Sequence, residues 1–99
     1  MAANILVYAC SGCSTAAQTA NAVALRLDRA GLAEMSCIAG VGGGVKPLVR
    51  KAQRAKMILT LDGCPLHCAE NCLRREGLRS TLHYDLSTMG ISKEYKKDI

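Results

Sequence analysis

Tryptophan and phenylalanine are both missing from the 99 residues, and the only aromatic side chains are Tyr8, Tyr84 and Tyr95. Single-stranded nucleic acids are gripped largely by stacking bases on aromatic rings, so that mode of binding lacks its chemistry here. No apolar run approaches the ~18 residues of a membrane-crossing helix. The opening Met-Ala-Ala-Asn has neither the basic leader nor the cleavage pattern of a secretory signal, so a cytosolic (cytoplasmic) protein without membrane contact is expected. Acidic residues are also few, 8 against 13 lysines and arginines, for a net charge of +5. The basic residues are scattered from Arg26 to the Lys93–Lys97 tail, as on solvated helix faces, and can partly offset an anionic site. A mass of 10.5 kDa implies one domain over residues 1–99, whose own loops must build any site.

Cysteine is what the chain has in excess: six residues, five of them just after apolar, strand-like runs. Three structural disulfides are a poor explanation in a reducing cytosol, so metal binding or thiol chemistry becomes the expectation.

The order of apolar runs predicts the fold. Ile5–Ala9 is uninterrupted and fits a strand buried on both faces. Ala16, Ala20, Val23, Ala24 and Leu27 follow at helical spacing, with Ser11 or Ser14 to cap the start and Gly31 to close the end. Met35–Ala39 reads as a second strand running into the glycine loop Gly40–Gly44. Pro47 suits the first turn of a helix carrying Leu48, Val49, Ala52 and Ala55. Met57–Leu61 is the clearest third strand, with Asp62 and Gly63 as its turn. Pro65 suits the start of another helix of about three turns, stopped at Gly77, with Leu66, Ala69 and Leu73 toward the sheet. A strand over Thr81–Leu86 and a short basic helix after Ser92 finish the chain. Alternating strands and helices imply parallel pairing through right-handed crossovers. The expected architecture is a small three-layer α/β sandwich of about four parallel strands, with Rossmann-like or flavodoxin-like topology. Ligands in such sheets gather beyond the carboxyl ends of the strands, which is where the cysteine-bearing loops must lie.

Cys10 and Cys13 frame Cys-Ser-Gly-Cys at a strand-to-helix turn, a spacing that lets two sulfurs bind one metal ion and that lowers a thiol pKa at a helix start. Cys64, Cys68 and Cys72 recur at steps of four, forming one slowly turning stripe if all are helical. Cys64 and Cys68 lie nearest the site, and Cys72 reads as a packing residue or a spare ligand that could replace Cys68, as could Cys37. Cys37 points into the core or toward the site according to register, with the core favoured. His67 reads as a surface or cap residue and His83 as structural. Asp62 reads first as a cap on the following helix and second as a carboxylate behind a metal ligand. The glycine loop lacks the spacing and the Lys-Ser/Thr of a P-loop, so its use is close approach of bare backbone to sulfur or to a small ligand.

Taken together, Tyr8-Ala-Cys-Ser-Gly-Cys-Ser, Met35-Ser-Cys-Ile-Ala-Gly-Val-Gly-Gly-Gly and Leu61-Asp-Gly-Cys-Pro-Leu-His-Cys-Ala resemble the DGC-domain family, named for the Asp-Gly-Cys triplet. The resemblance spans nearly the whole chain and implies a zinc site formed by cysteines. It carries over Cys10, Cys13 and Cys64, then Cys68 and Cys37, while Cys72 is less typical of the pattern. The expectation is one zinc ion held by Cys10, Cys13, Cys64 and Cys68. Four thiolates close a tetrahedral shell and leave no position for water, which favours a structural, sensing or carrier role over catalysis. The rivals are a thiol–disulfide oxidoreductase using Cys10 and Cys13, and an iron–sulfur protein with the same soft donors. The expected partners are the metal ion and a protein whose identity the sequence leaves open; nucleic-acid binding ranks last.

Overall fold

β1 (Ile5–Ala9) is apolar on both faces because it lies at the centre of the sheet. In the computed structural model, which describes residues 4–10 and 12–91, it pairs in parallel with β2 (Glu34–Met35) on one side and β3 (Met57–Asp62) on the other. β4 (Leu82–Asp85) adds in parallel to β3, giving the order β2-β1-β3-β4. The expected all-parallel, three-layer α/β fold is therefore present. The order is that of a flavodoxin-like sheet shortened by one edge strand, and its connections diverge between β1 and β3, where such folds open a crevice.

Side chains alternate along each strand, so the sheet has two cores. Val7, Ala9 and Leu61 meet α1 (Thr15–Arg29) through Ala17, Ala20 and Ala24. Leu6, Tyr8 and Ile58 face the opposite layer, where α2 (Ile38–Gly42), α3 (Lys46–Arg54) and α4 (Cys68–Arg75) contribute Val41, Ala52 and Leu73. Ser14 caps α1 by accepting from the Ala17 amide at 3.1 Å; the alternative cap Ser11 lies outside the described residues. Val23, expected on the core face, lies at the edge of the alanine stripe and is exposed.

Two element boundaries differ from expectation, and both differences shape the site. The second strand ends at Met35, with one further rung from Ser36 N to the Val7 carbonyl at 3.2 Å. Ile38 and Ala39 instead open α2, since a short apolar run does not by itself separate strand from helix. Gly40 and Gly42 thus sit in a helix at close contacts: a Cβ on Gly40 would come 2.0 Å from Leu48 Cδ1, and one on Gly42 would come 2.7 Å from Cys72 Sγ.

α4 begins at Cys68 rather than near Pro65. Residues 64–67 form a turn, with His67 N donating to the Cys64 carbonyl at 3.2 Å and His67 in the left-handed region (φ 53°). Cys64 and Cys68 therefore do not share a helical stripe, and Leu66 is turned out to solvent. Gly77 ends α4 with φ +73°, while the Leu78 amide bonds back to the Leu73 carbonyl at 3.0 Å, a Schellman closure. The fourth strand is trimmed to Leu82–Asp85, because Leu86–Met89 turn into a 3-10 helix begun by Asp85. The basic helix expected after Ser92 lies outside the described residues.

Candidate functional site

Cys10 directly follows β1, and its amide continues the ladder to the Leu61 carbonyl at 3.0 Å. Its sulfur is buried and accepts a hydrogen bond from the Gly63 amide at 3.1 Å. Space, rather than the amide itself, explains the glycine of Asp-Gly-Cys. A Cβ at position 63 would lie 2.7 Å from the Ala16 carbonyl carbon and 2.8 Å from Ala17 N, so the turn after β3 fits against the start of α1 only as bare backbone. Burial pushes the Cys10 thiol pKa up; the Gly63 amide opposes this, and negative charge at Asp62, Cys64 and Cys68 adds to the rise.

A cleft of about 160 Å³ opens beside Cys10, between α2 and α4, lined by Cys10, Ile38, Ala39, Cys68, Ala69 and Cys72. Cys68 is the exposed first residue of α4, and Cys72 stands one turn further on, half-buried against Gly42. Burial raises the Cys72 pKa, with the nearby Cys68 and Asp62 charges adding to it and Arg75 opposing. Cys64 is half-buried in the turn after β3, and Cys13 is exposed just ahead of the Ser14 cap; neither lines the cleft. Cys37 is not in the core: it is exposed at the start of α2. Among the described residues, no three Cys, His, Asp or Glu side chains are already grouped as an ion would need.

His67 stands at the cap position of α4 and His83 on β4, as expected, but the contacts of both rings are long-range ones that the sequence does not by itself reveal. Asp62, 1% exposed, does cap α4, but from the end of β3: Oδ1 accepts from Ala69 N at 2.9 Å and Oδ2 from Glu70 N at 3.2 Å. Oδ2 also lies 2.8 Å from His83 Nε2. His67 Nε2 lies 2.8 Å from Asp85 Oδ2, and the two imidazoles meet edge to face with centroids 4.6 Å apart. A carboxylate only accepts, so each Nε2 carries the proton. Asp62 and Asp85 are register partners, and like charges opposite one another destabilise a sheet unless donors intervene. The hydrogen bonds from Ser87 and then from His67 hold the Asp85 carboxyl below the usual carboxylate range. The available signal was the alternation His83-x-Asp85, which puts both side chains on the same face of β4 as Asp62.

With this arrangement in view, the comparison with known families is decisive: the sequence matches the DGC domain over residues 6–99. The chain belongs to the DGC domain family. Among curated proteins it is similar to the Anaerobic and virulence modulator AnvM of Pseudomonas aeruginosa. The two are 63% identical over 93 residues, covering 94% of this chain and 71% of that protein. No solved structure matches the chain. In this DGC domain, the Asp-Gly-Cys triplet supplies the α4 cap, the amide donor to Cys10 and a half-buried thiol in the turn after β3. No helix among the described residues is long and apolar enough to cross a membrane.

Proposed function

We propose that the chain holds one zinc ion at the carboxyl edge of its sheet through Cys10, Cys13, Cys64 and Cys68, in a structural, sensing or carrier role. The observation that carries this reading is one cleft lined by Cys10, from the loop after β1, and by Cys68, from the start of α4. Thiolate donors suit zinc, and the Gly63 amide on the Cys10 sulfur is the kind of hydrogen bond that supports a metal-bound thiolate. When bound, a zinc ion with four sulfur ligands supplies a closed cross-link between the two loops and offers no position for a reacting water. Cys10 must lose its proton to serve, so affinity weakens as the pH is lowered. Binding would draw the Cys13 and Cys64 turns inward. Cys72, already in the cleft, is the alternative fourth donor in place of Cys13.

Thiol–disulfide exchange led by Cys10 has less support, because an attacking thiol needs a lowered pKa and burial raises this one. An iron–sulfur centre would use the same donors and would colour the protein brown. The description of the Pseudomonas relative as a modulator fits sensing better than catalysis. Anaerobic titration with cobalt(II) tests the reading, since sulfur-to-cobalt charge-transfer intensity counts thiolate ligands. Four are expected, with loss on Cys10→Ser; absence of any thiolate band at saturating cobalt would refute it.

A further inference from the structure

α4 has no side-chain cap of its own, because its capping residue His67 makes no such hydrogen bond. The amides of its first turn reach back to Asp62 on β3 instead. Asp62 Oδ2 is shared between Glu70 N and His83 Nε2, so two of the three donors on this carboxylate belong to α4 and the third to β4. The His83 ring is backed by His67, which is itself tied to Asp85 two residues further along β4. Asp62, His83, His67 and Asp85 form a continuous chain of contacts that binds the end of β3, the Cys64–Cys68 turn and β4 together. Cys68 and Cys72 ride on the helix that this chain holds, and Cys72 is kept half-buried by its contact with Gly42 on α2.

We propose that His83 is a positioning residue for the thiol site: by donating to Asp62 it fixes the carboxylate that anchors the first turn of α4, and so sets Cys68 and Cys72 at the cleft beside Cys10. Its effect on metal affinity rests on the zinc reading above, whereas its effect on the helix and its thiols does not.

The test compares His83→Leu, which removes the donor, with His83→Gln, whose amide can still reach Asp62, and His83→Asn, which is too short. Metal-free protein is treated with iodoacetamide, and modification is followed cysteine by cysteine by mass spectrometry. In the Leu and Asn variants, Cys72 should react about 10-fold faster or more while Cys13 keeps its wild-type rate, with Gln restoring protection at Cys72. In a zinc competition assay, the Leu variant should bind about 10-fold more weakly or worse, and Gln should recover most of the loss. Should the Leu variant fail to fold, the Asn variant carries the comparison. Wild-type reactivity at Cys72 in the variants overturns the proposal, as does equal acceleration at every cysteine, which general loosening would produce. If the wild-type protein takes up no zinc, the zinc reading falls and the reactivity of Cys72 still decides the role of His83.

Discussion

Asp62 and His83, on neighbouring strands, are joined by a 2.8 Å hydrogen bond beneath the first turn of α4, and the carboxylate also accepts both helix amides. Both oxygens are thus used as acceptors, which makes Asn a poor substitute. Asp62→Asn would aim an amide donor at another donor and should cost roughly 1–3 kcal/mol of stability, with Asp62→Ala costing about 3 kcal/mol or more. Chemical denaturation measures both, and an Asn variant as stable as wild type would show that the carboxylate is dispensable.

Two of the tight glycines, Gly63 and Gly42, should respond differently to alanine. At Gly63 the obstacle is the backbone of Ala16 and Ala17, which cannot step aside, so Gly63→Ala should prevent stable folding or lower the melting temperature sharply. At Gly42 the obstacle is the Cys72 side chain. Gly42→Ala should cost about 1–3 kcal/mol alone and much less when combined with Cys72→Ala. Additive losses in that double-mutant cycle would mean the two positions do not touch.

Much of this arrangement was legible in the sequence because its determinants are local or topological. Ile5–Ala9 and Met57–Leu61 announce central strands, and parallel connectivity alone brings Cys10 to the Asp-Gly-Cys turn. The start of α4 was not legible. Pro65 is an ordinary helix opener, but the helix begins where Asp62 can reach two amides, and that depends on a strand end seven residues before the first of those amides, that of Ala69. Cys37 was misplaced for a similar reason: the sheet edge stops at Met35, so the run Met-Ser-Cys-Ile-Ala is cut between strand and helix. The pairing of His83 with Asp62 was not legible either, because the partner lies across the sheet, 21 residues away in sequence.

Thiol reactivity in the metal-free protein should be graded. Cys13 is exposed, whereas Cys10 is buried with a raised pKa; at pH 8 Cys13 should be among the first alkylated and Cys10 the last, by an order of magnitude or more. Cys10 reacting as fast as Cys13 would contradict the buried placement of its sulfur.

Acid should weaken the fold through carboxylates held below their ordinary range, Asp28 and Asp85 among them. Asp28 is lowered by its hydrogen bond from Met35 N and then by Arg29, and Asp85 by Ser87 and then His67. A depressed folded-state pKa contributes stability that is present above the unfolded carboxylate value, about 4, and is lost as pH falls through the folded value. Denaturation between about pH 5 and pH 2 should therefore show falling stability, and the double variant Asp28→Asn, Asp85→Asn should show a shallower fall. An unchanged slope would remove these two groups from the acid response.

The central claim is that sulfurs from the loop after β1 and from the turn and helix after β3 share one zinc ion. Its most direct test is metal content on anaerobically purified protein, together with a thiol count before and after chelation. One zinc per chain and about four newly reactive thiols on chelation are the predicted result. Metal-free protein that cannot take up zinc, with all of its accessible thiols already reactive, would contradict it.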